Sequence, residues 1–141
     1  MKKLVQENFN ADSQGLSSFL AWLEQWLQKN LLPDEASRAL LASEEAAANI
    51  VSYAYPDRQG LSYNFTASLW QKEEFLVLVL EDEGVPFNPL QDISANPAAS
   101  LDKRLPGGWG RVFLKKFTAL SEYEFKAGKN ILRLYFKGVA S

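Results

Sequence analysis

The sequence predicts one α+β domain, residues 1–141, in which a mixed β-sheet is covered on one face by helices in a two-layer α/β sandwich. Three observations predict this fold. The segments that can form regular structure follow the order strand, helix, helix, several strands, helix, strands, which is typical of a sheet with its helices on one face. Hydrophobic residues make up 47% of the chain and aromatic residues 13%, unlike disordered chains. A chain of 141 residues can also bury about two thirds of its unfolded surface, enough for a core without disulfides.

The chain opens with a strand and a helix. Leu4 to Phe9 is predicted to be a short strand. Asn10, Asp12 and Ser13 then offer side chains that can cap a helix, which we expect to run through Asn30. The apolar residues that recur at helical spacing in this helix are Leu16, Phe19, Leu20, Leu23 and Leu27.

A second helix is predicted from Pro33 and Asp34 to about Ala54. Proline is favoured at the first helical position, and Pro56 and Gly60 end the helical pattern. The predicted core stripe consists of Ala36, Ala39, Leu40, Ala47, Ile50, Val51 and Ala54.

Four further strands and a third helix complete the prediction. Strands are expected near Leu61 to Trp70 and near Phe75 to Glu81. The second of these is apolar on both faces, so we expect it at the centre of a covered sheet. A helix is expected near Trp109 to Leu120. The last predicted elements are strands near Tyr123 to Lys126 and Asn130 to Lys137, joined by a turn at Gly128-Lys129.

The composition excludes several kinds of chemistry. The chain has no Cys and no His, which removes disulfides, thiolate catalysis, cysteine metal sites and a histidine phosphoacceptor within the chain. A formal net charge of -2 without a long basic run predicts no binding to nucleic acid or to an anionic membrane. No apolar run approaches the roughly 20 residues that span a bilayer, and the start Met1-Lys2-Lys3 precedes no secretory segment, so a cytoplasmic location is expected.

Glu45 and Asn49 form the first candidate motif. They lie four residues apart on the second predicted helix, so they share one face, which the 3.6-residue period places opposite the core stripe. The carboxylate can position a hydroxyl while the amide oxygen ligates Mg²⁺, a hard ion that prefers oxygen. For this pair alone, a solvated helix face is the simpler interpretation.

The second candidate motif is the segment Asp82-Glu83-Gly84-Val85-Pro86-Phe87-Asn88-Pro89, which begins where the central strand ends. Ligands gather at strand ends in open sheets. A carboxylate at Asp82 can accept a hydrogen bond from an exocyclic amine, and Gly84 lets the backbone approach a flat ring closely. An ordinary turn is the alternative for these residue types.

The third candidate motif is Gly107-Gly108-Trp109-Gly110, which opens the third predicted helix. Glycines before a helix expose backbone N–H groups, and the helix dipole adds partial positive charge, so the segment can bind phosphate. A flexible linker is the alternative. Glycine-rich turns are weak signals when they stand alone.

Together these motifs resemble the ATPase superfamily of gyrase, Hsp90-type chaperones, histidine kinases and mismatch-repair proteins, and most closely the bacterial anti-sigma-factor serine kinases. The resemblance extends over nearly the whole chain. The segments that carry it are Glu45-Ala-Ala-Ala-Asn49 followed by Ala54-Tyr55, then Asp82-x-Gly84-x-Pro86-Phe87-Asn88-Pro89, Gly107-Gly108-x-Gly110, and Gly128-Lys129-Asn130-Ile131-Leu132-Arg133-Leu134. One departure is Tyr53, where this family commonly has His.

The resemblance implies roles for these residues. Asn49 would coordinate the Mg²⁺ that bridges the ATP phosphates, and Glu45 would be the catalytic carboxylate beside the attacking hydroxyl. Asp82 would bind the adenine amine and Gly84 would admit the base. Gly107, Gly108 and Gly110 would end a mobile lid, from about Gln91 to Pro106, and meet the phosphates. Whether Lys103 or Arg104 of the lid contacts a phosphate is left open.

The resemblance also implies a function in transcription regulation. The chain would be a protein serine/threonine kinase that phosphorylates a small anti-sigma-factor antagonist and otherwise holds a sigma factor; a homodimer is compatible with this function. One alternative is a nucleotide-gated protein-binding switch without phosphotransfer, which would need Asn49 and Asp82 but not Glu45. Another is a detached ATPase domain of a sensor histidine kinase, against which the short lid and the compact segment after Asp82 argue.

Overall fold

The computed structural model describes residues 1–57, 62–91 and 108–137, and these form a sheet with helices packed on one of its faces. The described elements are β1 (Lys2–Asn10), α1 (Ser13–Asn30), α2 (Pro33–Asn49) with a π-helical segment (Ile50–Ala54), β2 (Asn64–Lys72), β3 (Phe75–Asp82), α3 (Gly108–Lys116), β4 (Leu120–Lys126) and β5 (Lys129–Phe136). Of the helices in these ranges, none combines the length and the apolar character needed to cross a membrane.

The five described strands lie in the order β1-β2-β3-β5-β4, and every neighbouring pair is antiparallel. The predicted α+β layering is confirmed, and so is the central position of β3, but the prediction of a mixed sheet was wrong. The reason lies in the connections. Hairpins join β2 to β3 and β4 to β5, which makes both of these pairs antiparallel. Helices α1 and α2 connect β1 to β2, and β2 begins at the end of the sheet where β1 stops, so this pair is antiparallel as well. The single helix α3 precedes β4, but β5 lies between β3 and β4, so these two strands do not pair.

The core lies between the helices and the inner face of the sheet. The Asp12 side chain caps α1, as predicted, by accepting a hydrogen bond from the Gly15 backbone N–H at 2.7 Å. Phe19 of α1 packs against Phe9 and Phe65, with ring centroids 5.5 Å away in both cases. The largest fully buried residues besides these are Leu23, Leu27, Leu69, Leu76, Leu78, Leu80, Leu114 and Leu134. Val77 is also fully buried, but it lies on the opposite face of the sheet with Val79 and Tyr135.

The end of α3 and the final hairpin turn both come earlier in the chain than predicted. Helix α3 ends at Lys116 rather than near Leu120, and the Ala119 N–H already donates to the Tyr135 carbonyl at 2.8 Å. The final hairpin turns at Ala127 and Gly128, which both have positive φ (54° and 77°), one residue before the predicted turn. Positive φ at both central residues is the signature of a tight hairpin turn whose twist matches that of the strands.

Ala127→Gly is expected to raise the free energy of unfolding by about 0.5 kcal/mol. A left-handed conformation costs an alanine about 1–2 kcal/mol, and the entropy that a glycine loses on folding offsets only part of this. Urea denaturation measures the change. Gly128→Ala is the matched control and should be destabilising, since φ is 77° there although a Cβ would meet nothing within 4 Å. A destabilised Ala127→Gly variant would contradict the expectation.

Candidate functional site

The candidate site is a pocket between the end of α2 and the ends of the central strands, with a cavity volume of about 30 Å³. Its polar wall contains Asn49, Asp82, Tyr123 and Asn130. Its apolar wall is formed by Ala46, Ile50, Ala54, Leu80, Phe87, Pro89 and Leu132. The pocket therefore combines a flat apolar enclosure with a few polar groups, which is the usual character of a small-molecule site.

Asp82 is the last residue of β3, and its side chain is buried, with 6% of the residue exposed. Its Oδ1 atom accepts hydrogen bonds from the Gly84 backbone N–H at 2.9 Å and from Asn130 Nδ2 at 2.8 Å. Burial raises the pKa of the Asp82 carboxyl, and the bonds from Asn130 and Gly84 offset part of that rise. Among the described residues both bonds end on Oδ1, so Oδ2 is the oxygen that can accept a bond from a ligand.

Gly84 lies against the π-helical segment. A Cβ at this position would fall 2.2 Å from the Ala54 carbonyl oxygen, a distance that no side chain can occupy. The neighbouring Val85 N–H donates to that same oxygen at 2.8 Å. Glycine is therefore required at position 84 by the close approach of the loop to Ala54.

Tyr55 also ties the loop after β3 to its surroundings. Its hydroxyl accepts a hydrogen bond from the Glu83 N–H at 2.9 Å and donates to the Asn64 carbonyl at 2.8 Å. Tyr53 contacts the same loop, because its ring stacks on that of Phe87 at 5.5 Å. Tyr53 thus supports one wall of the pocket.

Asn49 and Glu45 do not lie on a solvated helix face, so the prediction that their face is turned away from the core was wrong. Asn49 is buried with 5% exposed, and its Nδ2 atom has no hydrogen-bond partner among the described residues. Glu45, one turn earlier, is half-buried and its Oε1 atom is enclosed. The physical reason is that α2 packs against both α1 and α3, so more than one of its faces is covered.

The predicted stripe is only part of the buried surface of α2. Ala36, Ala39, Ala47, Ile50 and Ala54 are buried as predicted, whereas Leu40 and Val51 are partly exposed. Small residues outside the stripe are buried as well, namely Ala42, Ser43 and Ala46. Immediately after Asn49 the helix widens into the π-helical segment, a feature that occurs frequently at functional sites.

The glycine motif is only partly described. Gly108 and Gly110 lie in the first turn of α3, which packs against α2. Gly107 lies outside the described residues, as do Lys103, Arg104 and, apart from Gln91, the predicted lid from Gln91 to Pro106. Among the polar residues that line the pocket, Tyr123 and Asn130 were not predicted as site residues, and Phe87 lay in the second motif without an assigned role. The polar Asn130 at the start of an apolar strand is the signal that could have indicated one of them.

The chain matches a known family over most of its length. The family model of the histidine kinase-like ATPase domain matches residues 9–136, a range that includes every candidate site residue named above. The chain belongs to this family. As a histidine kinase-like ATPase domain, it has a relative in the serine/threonine-protein kinase BtrW of Bordetella bronchiseptica, to which it is 32% identical over 114 residues. That similarity covers 77% of this chain and 79% of BtrW.

A solved structure supports the fold of this histidine kinase-like ATPase domain. The chain is similar to the crystal structure of the RsbU and RsbW domains of Rv1364c from Mycobacterium tuberculosis, with a TM-score of 0.62 and 13% identity. The similarity covers 98% of this chain but 34% of the other, so this chain spans about a third of the length of the chain in that structure. The resemblance inferred from the motifs is confirmed at the level of the family, and membership implies use of a nucleotide.

Proposed function

We propose that this chain is an ATP-dependent protein serine/threonine kinase of the anti-sigma type. It would transfer the γ-phosphate of ATP to a small anti-sigma-factor antagonist and otherwise hold a sigma factor, and so regulate transcription. The observation that carries this proposal is the buried Asp82 carboxylate, which lines a pocket together with the Asn49 amide. The 32% identity to a serine/threonine-protein kinase supports the reaction type.

Asp82 is proposed to bind the adenine amine. Its Oδ1 atom is held by Gly84 and Asn130, which leaves Oδ2 to accept a hydrogen bond from the exocyclic amine. Ile50, Leu80 and Leu132 supply apolar walls on which a flat base can lie. Gly84 acts here through the backbone, because it lets the loop that follows Asp82 pack closely on Ala54.

Asn49 is proposed to ligate Mg²⁺. The residues present fit this ion, since Asn49 lines the pocket with an amide oxygen of the kind that Mg²⁺ prefers, while its Nδ2, unpartnered among the described residues, can donate to a phosphate oxygen. An amide oxygen is a suitable ligand for a hard cation that also binds substrate phosphates. When bound, Mg²⁺ would supply charge neutralisation for the transferred phosphoryl group.

Glu45 is proposed as the catalytic carboxylate that orients or deprotonates the serine hydroxyl of the antagonist. It precedes Asn49 by one helical turn, so the base and the metal ligand would lie side by side. Phosphoryl transfer needs mainly positioning and electrostatic stabilisation, which such a pair can provide. Gly107, Gly108 and Gly110 are proposed to present backbone N–H groups to the phosphates at the start of α3.

ATP with Mg²⁺ is expected to stabilise the fold by about 2.7 kcal/mol at a hundredfold excess over the dissociation constant, because the pocket exists only in the folded chain. A thermal unfolding series at increasing ATP measures the stabilisation. The melting temperature should rise with nucleotide concentration. A melting temperature that does not change up to millimolar ATP would count against a nucleotide site.

The proposed reaction is tested by incubation with γ-labelled ATP, Mg²⁺ and a candidate antagonist protein whose phosphoacceptor is a serine. We expect label on the antagonist, and no label on an antagonist whose serine is replaced by alanine. ATP binding without labelling of the antagonist would favour the nucleotide-gated binding switch. Transfer of label to a histidine of another protein would instead favour the detached histidine-kinase domain.

A further inference from the structure

Asn130 is a buried side chain that joins three parts of the pocket. It lies on β5 directly opposite Asp82 in the sheet register, and 5% of the residue is exposed. Its Nδ2 atom donates to Asp82 Oδ1 at 2.8 Å and to the Val85 carbonyl at 2.9 Å. Its Oδ1 atom accepts from the Phe87 N–H at 3.1 Å and from the Tyr123 hydroxyl. One amide thus holds the end of β3, the loop after it and β4.

The orientation of this amide is fixed by the chemistry of its partners. The Phe87 N–H can only donate, so it must face the Asn130 oxygen, and the Val85 carbonyl can only accept, so it must face the nitrogen. The nitrogen therefore also faces Asp82. Asp82 Oδ1 therefore accepts two hydrogen bonds, one from Asn130 Nδ2 and one from the Gly84 backbone N–H. Rotation of the Asp82 carboxylate away from this position would break both hydrogen bonds, from the Gly84 N–H and from Asn130 Nδ2.

We propose that Asn130, supported by Tyr123, is the positioning residue that sets the base specificity of the pocket. It fixes the Asp82 carboxylate so that Oδ2 presents a hydrogen-bond acceptor to the base. Adenine offers an amine at the position where guanine carries a carbonyl oxygen. A fixed acceptor bonds the first base and repels the second, so specificity arises from both attraction and rejection. This inference rests on the proposed binding of ATP at Asp82.

The first test compares the dissociation constants of ATP and GTP by calorimetry, with Mg²⁺ present, for the parent, Asn130→Ala and Tyr123→Phe. In Asn130→Ala the Asp82 carboxylate keeps only the bond from the Gly84 N–H, so its orientation is less well fixed; we expect ATP to bind at least about tenfold more weakly and the preference for ATP over GTP to fall. Tyr123→Phe removes one of the two donors to the Asn130 oxygen and should weaken ATP binding a few-fold. Unfolding curves report separately whether each variant is folded.

The second test uses Asn130→Asp, which keeps the shape of the side chain but replaces its donor. When protonated, the introduced carboxyl can donate to Asp82 Oδ1 as the amide does; when ionised, it repels Asp82. Two carboxyls in such contact share one proton. Relative to the parent measured at the same pH, ATP binding by Asn130→Asp should therefore strengthen as the pH falls between about 8 and 5.5. The titratable groups hydrogen-bonded to Asn130 are Asp82 and Tyr123, and the phenol stays neutral in this range because burial raises its pKa.

The outcomes separate this inference from the proposed function. No ATP binding by the folded parent would refute the proposed function itself. Binding by the parent, with an unchanged ATP to GTP ratio in Asn130→Ala and no pH dependence in Asn130→Asp, would overturn the inference and leave the ATP site standing. If both Asn130 variants fail to fold, Tyr123→Phe decides: a parental ATP to GTP ratio would overturn the proposal, and a reduced ratio would support it.

Discussion

Glu45→Gln is expected to lower phosphotransfer to the antagonist by about 10²–10⁴-fold while ATP affinity stays close to that of the parent. The expected loss is that of a general base, which the amide of glutamine cannot replace. Asn49→Ala should instead weaken binding of the Mg-nucleotide itself, because it removes an oxygen ligand of the metal. The two variants should therefore differ in kind, one in the rate of transfer and the other in the dissociation constant.

The matched control for Glu45→Gln is Glu44→Gln, which changes an exposed carboxylate on the same helix and should leave both quantities unchanged. Single-turnover labelling measures transfer, and calorimetry measures affinity. Equal losses of ATP affinity in Glu45→Gln and Asn49→Ala would mean that Glu45 is a ligand or a structural residue. Parental transfer by Glu45→Gln would remove it from the reaction altogether.

Asp82→Asn is expected to lower ATP affinity by at least about 100-fold without destabilising the fold. The amide oxygen can still accept from Gly84 and Asn130, but the new amide nitrogen would face the adenine amine, donor against donor. Since burial raises the pKa of Asp82 above its unfolded value, ionisation of this carboxyl costs stability in the folded state. The variant should therefore be as stable as the parent at neutral pH, or more stable.

The sign of the pH dependence gives this prediction a second readout. Because the folded pKa of Asp82 is raised, the stability that its neutral form contributes is present below about pH 4 and is lost as the pH rises through the folded pKa. Asp82→Asn has no such loss. Its free energy of unfolding should therefore increasingly exceed that of the parent as the pH rises from about 4 through the folded pKa of Asp82. Glu83→Gln, an exposed neighbour, serves as control and should alter neither affinity nor stability. An Asp82→Asn variant that binds ATP like the parent would show that adenine lies elsewhere.

Local pattern predicted the elements of the fold and the placement of Asp82. The continuous apolar run of β3 indicated a central strand, and a carboxylate directly after it is brought to the end of the sheet by chain connectivity alone. The antiparallel pairing of all the described strands could not be derived in the same way. It depends on which strands become neighbours, and β3 pairs with β5 rather than with β4, the strand that follows it in the chain. The predicted position of the final hairpin turn was one residue too late, because glycine, rather than an alanine such as Ala127, is the usual signal of positive φ.

The environment of the site residues depended on contacts between distant segments. Helical spacing correctly placed Glu45 and Asn49 on one face of α2, but it could not show that α3 covers a second side of that helix. Asn130 was missed for a similar reason. Its contact with Asp82 joins residues 48 positions apart and is set by the register of β3 with β5, which no periodicity in the sequence reports.

Calorimetric titration of the parent chain with ATP, in excess Mg²⁺ and again in excess chelator, shows whether the pocket binds Mg-ATP. We expect saturable binding of one ATP per chain in Mg²⁺, and clearly weaker binding when the chelator removes the ion that Asn49 would share with the phosphates. Absence of binding in Mg²⁺, or equal affinity with and without the ion, would contradict the assignment of the pocket between Asp82 and Asn49 as a Mg-ATP site.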